Sequence, residues 1–422
     1  MIILVKFKET EIGKIPEDWN VSRLADIADI LTGFPFKGSE YSFDEGTIVV
    51  RGENLKDRRF RWDTIKKWKN IDGEIKNYLL KKGVCVISMD GNVGKNKAVV
   101  RETDPPLLLA QRVAAITAKQ GISQDFINQV ILSDQFLSYC ERVKTGTTIA
   151  HISRGQLENF LLPIPPIREQ SSISKILSDI DSKIELNNQI NTTLNTIAQS
   201  LFKLWFLDFE FPNEEGTPYK SSGGKMVESE IDKVPDGWKV DGLKILVENL
   251  DSKRVPLSSR ERAKRKGPYP YYGATCILDH VDSFLFDGIY LLLGEDGTVI
   301  DDNGNPILQY VWNKFWVNNH AHILVGKRPY STEFIYLLLK NKNINHILTG
   351  AVQLKINQSN LNNLRVIVPP YNIVERFNKY LDSIFLQYRN LFEETKNLEK
   401  IKDSLIPKLM QGEIRIPIGV SK

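Results

Sequence analysis

Two stretches of the chain place an apolar residue every three or four positions for about 40 residues; elsewhere the apolar runs are short and broken by glycine. With Ile173 as heptad position a, the a series reads Ile173, Ile180, Asn187, Leu194 and Leu201. The d series reads Ile176, Lys183, Ile190, Ile197 and Leu204, with Leu177 and Ile184 at e. This spacing predicts an amphipathic helix, roughly 60 Å long at about 1.5 Å per residue. Adding 204 positions preserves the register: a becomes Phe377, Ile384, Leu391, Leu398 and Leu405; d becomes Tyr380, Gln387, Glu394, Ile401 and Lys408; e supplies Leu381, Tyr388 and Leu409. Each helix follows a Pro-Pro pair, Pro165-Pro166 or Pro369-Pro370. Pro407 is expected to bend or end the second, because it lacks an N–H and crowds the preceding turn.

The rest of the chain is also written twice. Residues 12–21 (IGKIPEDWNV) match 231–240 (IDKVPDGWKV), and 146–152 (GTTIAHI) match 350–356 (GAVQLKI) in the same order. A looser third match aligns 83–93 (GVCVISMDGNV) with 288–299 (GIYLLLGEDGTV), with one residue of slip. Even the helix exits correspond, 200–212 with 404–417. The polar, Gly/Ser-rich stretch 213–225 reads as a linker. The implied order is globule, helix, linker, globule, helix.

Residues 167–207 hold four basic and four acidic side chains, so the first helix offers no phosphate-binding face. An apolar stripe on a near-neutral helix seeks another helix, and the natural partner is its copy. Asn187 and Lys183 in the seam, with Gln387 and Glu394 in the other helix, would fix register at a cost in stability. Two unrelated surface helices, each packed locally, are the alternative.

Across 422 residues, 56 Lys and Arg face 52 Asp and Glu, a net +4, so any nucleic-acid affinity must come from local clusters. The length predicts two or three domains, and 41% hydrophobic residues suffices for a core in each. Three scattered cysteines, Cys85, Cys140 and Cys276, fit neither a disulfide framework nor a zinc pair. The N-terminal apolar run is too short for a signal peptide, and no run approaches the roughly 20 residues of a membrane span. A cytoplasmic protein is expected.

The densest basic run is 253–266, with Lys253, Arg254, Arg260, Arg262, Lys264, Arg265 and Lys266 against one acid. The aromatic stretch PYPYYG follows, with Tyr271 and Tyr272. Basic charge beside rigid aromatic loops suits phosphate contact and groove insertion, although a solvated basic loop reads the same way. The first half offers Arg51, Lys56, Arg58, Arg59 and Arg61 with Phe60 and Trp62. Further candidates are the Gly-rich turns 90–95, with Lys95, and 294–297; Gln111 and Arg112 beside their rough counterparts Asn319, His320 and His322; and Lys144 opposite Lys355. Amide and guanidinium groups can read base edges and lysines can meet phosphates, but each residue alone is equally well a turn or strand-end residue.

Catalytic fragments fail when tested. Asp104-Pro105-Pro106-Leu107 and Val368-Pro369-Pro370-Tyr371 are each half of an amino-methyltransferase loop, and no Gly-rich turn for a methyl donor accompanies them. Pro235-Asp236 with Asp251-Ser252-Lys253 satisfies a loose nuclease pattern, but the first pair repeats Pro16-Glu17 and reads as a turn before Trp238. The 91–96 turn departs from a phosphate-binding loop because residue 89 is Met and residue 96 is Asn. His320 and His322 lack a third metal ligand. No catalytic or metal-binding constellation is expected.

The two Ile-x-Lys-(Ile/Val)-Pro-x-x-Trp motifs, the two Pro-Pro exits (164–170 and 368–371) and the duplication together resemble the specificity (S) subunit of a type I restriction-modification system, over nearly the whole length. Asp232 replaces Gly13, and 372–375 lacks the Arg168-Glu169-Gln170 of the first exit. The resemblance implies an α+β fold: two similar mixed α/β target-recognition domains separated by two long antiparallel coiled-coil helices, with an internal pseudo-two-fold repeat. The expected layout is a first recognition domain over 1–165, a spacer helix over 166–210, a linker over 211–228, a second recognition domain over 229–370, a second helix over 371–410 and a tail over 411–422. The implied function is recognition of a bipartite site in double-stranded DNA by a non-catalytic subunit. Two modification subunits and the restriction subunits would be its partners, and methyl donor, ATP and Mg would reside on them. A coiled-coil scaffold, or a stand-alone methyltransferase or nuclease, is the competing reading.

Overall fold

The computed structural model describes residues 6–56, 58–146, 148–350 and 353–416. Residues 1–5, Asp57, Thr147, Ala351 and Val352 of the Gly-containing repeat, and the tail from Pro417 lie outside them. Two compact units form: Met1–Leu186 with Glu394–Lys422, and Asn187–Glu393. Both boundaries fall inside a long helix, so each unit combines one globule with a segment of each helix.

The same antiparallel four-stranded sheet forms in each unit. In the first, the order is Lys97–Val99, Cys85–Ser88, Val113–Ala118, Ala28–Thr32. In the second it is Leu308–Val311, Tyr290–Gly294, Ala321–Gly326, Val247–Asn249. The inner strands carry continuous apolar runs because both of their faces are covered; Cys85, Val86, Ile87, Leu291, Leu292 and Leu293 are all fully buried. The helices Gln124–Leu132 and Thr332–Lys340 follow the same sheet strand in each unit, and each starts at a serine, Ser123 or Ser331, whose hydroxyl accepts an amide of the first turn. A strand pair closes each globule: Asn20–Arg23 with Leu161–Ile164, and Lys239–Gly242 with Arg365–Val368.

The second sheet is where the units diverge. The first unit builds it from Leu107–Leu109, Thr47–Val50 and Lys67–Trp68; the second uses Ile277–Val281, Lys266–Tyr272, Lys314–Val317 and Phe286–Asp287. Each keeps one parallel pairing, Leu107–Leu109 on Thr47–Val50 and Tyr271–Tyr272 on Trp316–Val317.

The repeated tryptophans are buried anchors. Trp19 Nε1 donates to Glu169 Oε2 at 3.0 Å, and Arg415 closes on both Glu169 oxygens at 2.7 and 2.8 Å with its guanidinium 5.7 Å above the indole. The neighbouring Gln170 accepts the Ser123 amide at 2.9 Å and donates to the Pro165 carbonyl at 2.8 Å. Trp238 sits instead in an aromatic stack, 5.1 Å from Phe211, which stacks on Tyr219 at 4.7 Å. The absence of Arg-Glu-Gln from the second exit is therefore matched by a change of anchor from ionic to aromatic. Asp236 pairs with Lys225 at 2.9 Å, and the Trp238 amide closes a turn on the Pro235 carbonyl, as the turn reading of that pair expects.

The long helices run over Ile167–Phe202, continued by a wider turn through Leu207, and over Tyr371–Met410. Pro407 does not end the second helix, which continues to Met410. In the first unit Lys183 lies 3.1 Å from Glu394, and Lys402 pairs with Asp181. In the second, Trp205 lies 5.3 Å from Phe377, while Asn195 shares a small cavity with Ile384 and Tyr388. Within each unit the two helical segments therefore run antiparallel.

The buried seam is a and e, not a and d. Ile173, Leu177, Asn187, Ala198, Phe377 and Leu381 are buried, whereas Ile176, Ile197, Leu204, Tyr380 and Ile401 are each more than a third exposed. Positions a and e alternate in steps of four and three, as a and d do, so the period is right and the phase is shifted. The apolar stripe spans a, d and e, and packing against the globules selects one edge of it: Ile173 and Leu177 join the first core, Phe377 and Leu381 the second.

Candidate nucleic-acid interface

At one end of each central sheet, three loops meet in the same hydrogen-bonded frame. In the first unit the Met89 amide donates to Arg112 O, Gly91 to Ala150 O and Ile152 to Met89 O, each at 2.8 Å. In the second, Glu295 donates to His320 O, Gly297 to Leu354 O and Ile356 to Glu295 O, at 2.8–3.1 Å. Thr145 with His151, and Thr349 with Lys355, bridge in both directions at the third loop. Gly91 and Gly297 have φ of +73° and +87°, the left-handed region where glycine carries no Cβ penalty. Residues 90, 112 and 151 thus correspond by position to 296, 320 and 355.

The side chains on this frame differ. In the first unit Arg112 Nη1 lies 3.0 Å from Asp90 Oδ2, and His151 Nδ1 is bonded to the other carboxylate oxygen. Arg112 is 68% exposed at its side chain and has φ +67°. A cavity of about 670 Å³ opens beside it, lined among others by Phe34, Phe36, Tyr41, Arg51, Asn92 and Gln111. Phe36 packs on Trp68 at 4.8 Å, which gives that cavity a rigid aromatic wall. In the second unit His320 Nδ1 faces Asp296 at 2.7 and 3.0 Å, and Lys355 lies 3.5 Å from Glu295.

Arg51, Gln111 and Arg112 are brought together around the first cavity, and Asn319, His320 and Lys355 occupy the corresponding loops of the second unit. Lys56, Arg58, Arg59, Arg61, Lys95 and Lys144 do not line the cavity. Arg59 pairs with Glu185 of the first long helix at 2.9 Å, Arg61 with Asp63, and Lys144 with Glu141. Phe60 and Trp62 stack on each other at 5.2 Å against the core. In the 253–266 run, Lys253, Arg260 and Lys264 are exposed and make no ion pair among the described residues. Arg265 pairs with Asp282 at 2.9 Å, and Lys266 with Asp279 at 2.6 Å.

Four candidates need correcting, because the interior uses them. Tyr271 is fully buried, its hydroxyl accepting the Leu257 amide at 2.9 Å. Arg262 lies 5.0 Å over the Tyr271 ring and donates to Leu257 O at 2.7 Å. Arg254 donates to Glu295 at 2.6 Å and to Ala321 O at 2.9 Å. His322, 1% exposed, has Nδ1 on Asp251 and Nε2 on Ile356 O at 2.8 Å. Burial alone would raise the Asp251 carboxyl, but His322, the Ile323 amide and Arg254 together hold it below its ordinary value. Asp251, Glu295 and His322 have the donor types of a metal site, yet Arg254 already lies against both carboxylates. Tyr272 is half-buried, edge-on to Phe315 at 5.7 Å.

Residues 16–196 and 235–402 match the family described as the type I restriction modification DNA specificity domain. The chain belongs to this family. Both copies of the domain fall on the two repeats. Among relatives, the specificity subunit of the type I restriction enzyme MjaIX of Methanocaldococcus jannaschii is 26% identical, with 99% of each chain covered. That of HindI of Haemophilus influenzae is 21% identical, over 94% of this chain and 100% of its own. The crystal structure of a type I restriction-modification S subunit from M. genitalium shares the fold, with a TM-score of 0.57 and 16% identity over 96% of this chain and 98% of the other. Among the described residues of this specificity-domain chain, no helix is long and apolar enough to cross a membrane.

Sequence reasoning missed the acids of this loop frame, Asp90 and Asp296, and the imidazole of His151. The signal was present: the third repeat match aligns Asp90 with Asp296, and the second aligns His151 with Lys355. A search for cations alone passes over the carboxylates that orient them.

Proposed function

We propose that this chain is the DNA-recognition subunit of a type I restriction-modification assembly, each unit reading one half of a bipartite double-stranded site. Two modification subunits and the restriction subunits would be mounted on it and supply the chemistry, with methyl donor, ATP and Mg held on them. The long helices would act as an antiparallel coiled-coil spacer that sets the gap between half-sites. The observation that carries the reading is the duplicated loop frame, which offers amide, imidazole and cationic side chains at one place in each unit. The membership of both repeats in a DNA specificity family supports it. Mapping of methylated sites in genomic DNA from cells with and without the chain tests it. One bipartite motif should vanish with the chain; an unchanged set of motifs refutes the reading.

A further inference from the structure

We propose that Arg112, aimed by Asp90, reads a guanine in the half-site of the first unit, and that position 320 is the matching base-reading position of the second. This rests on the reading of the chain as a DNA-recognition subunit.

Three observations carry it. First, the frame is the same in both units while the side chains at positions 111, 112 and 151 are exchanged, Gln-Arg-His against Asn-His-Lys at 319, 320 and 355. A constant scaffold with exchanged tips is what two different half-sites require. Second, the nitrogen groups on both frames face acids, Arg112 with Asp90 and His320 with Asp296. A carboxylate at 3.0 Å cancels much of the guanidinium charge, so the pair gains little from a phosphate. It also fixes the direction of the remaining donors. Arg112 Nη2 and Nε have no partner among the described residues, and two fixed parallel N–H groups match O6 and N7 of guanine in the major groove. Third, Arg112 holds a left-handed backbone conformation, φ +67°, which is unfavourable for a non-glycine residue and concentrates at functional sites. His320 meets its carboxylate through Nδ1, which leaves a single ring nitrogen rather than a fork for a base, so the two units should prefer different bases.

The test measures binding of the full chain, with its modification subunits, to duplexes carrying every single base-pair change in the mapped motif. Arg112→Asn tolerates the left-handed backbone and should lose about 10- to 100-fold discrimination at one G·C pair of one half-site, with the other half-site unaltered. Asp90→Asn keeps a hydrogen-bonding group but frees the charge of Arg112. It should lower discrimination at the same pair while steepening the salt dependence by about one ion, which a purely structural role would not do. Uniform weakening at every base pair in Arg112→Asn, or loss at no G·C pair, overturns the inference. A wild-type chain that yields no bipartite motif fails at the earlier step, and both readings fall together.

Discussion

Lys97 is nearly buried under the first sheet, with its ammonium donating to Ile131 O at 2.8 Å and lying 5.7 Å from the Phe136 ring centre. Burial pulls its pKa down to about 8. Because the folded value lies below the unfolded one, the unfolded chain binds more protons between about pH 8 and 10.5, and stability rises with pH there. The buried thiols Cys85 and Cys140, pushed up to about 12 by burial, act oppositely above pH 9, so the informative quantity is a difference between variants. Lys97→Met should be more stable than wild type at pH 7 by about 1–2 kcal/mol, the removed charge outweighing one lost hydrogen bond. That advantage should shrink by about 2 kcal/mol at pH 10. Urea unfolding at both pH values measures it, and a constant difference would refute the assignment.

At the scale of the element, the basic segment divides by exposure. The helix Ser259–Lys264 starts at a capping box, Ser258 with Glu261, and its position is held by Arg262 on the Tyr271 ring and Arg265 over Trp316 at 4.8 Å. Lys253, Arg260 and Lys264 are exposed, with no ion pair among the described residues. Replacing those three with glutamine should weaken DNA binding and make the salt dependence shallower by about two to three ions, with the thermal midpoint unchanged. Replacing Arg262 and Arg265 should lower the midpoint instead. Equal salt slopes in wild type and the triple variant would remove this segment from the interface.

For the whole molecule, the proposed spacer would have a length written in heptads. Removing one heptad from 173–204 and one from 377–408 shortens each helix by about 10 Å. The unmethylated gap of the recognised motif should then contract by about three base pairs, at 3.4 Å per pair. Methylation mapping of the double deletion checks it, and an unchanged gap would separate the helices from the spacing. The anchors at the two tryptophans, ionic at Trp19 and aromatic at Trp238, indicate that the two halves have diverged in packing while retaining one topology.

The sequence by itself determined the duplication, the helix lengths and the heptad period, because these follow from spacing along the chain and require no knowledge of what packs where. It located the loops Gln111-Arg112 and Asn319-His320 on the same ground. Tertiary structure alone decided which edge of the apolar stripe is buried, because Ile176 at d and Leu177 at e are equally apolar and only the globules distinguish them. It alone separated Lys253, Arg260 and Lys264 from Arg254 and Arg262, since a basic residue is free or committed according to acids and rings far along the chain, Glu295 and Tyr271 among them. And it alone brought Asp90 to Arg112 and His151, three residues from three loops whose meeting depends on sheet order rather than on any local pattern.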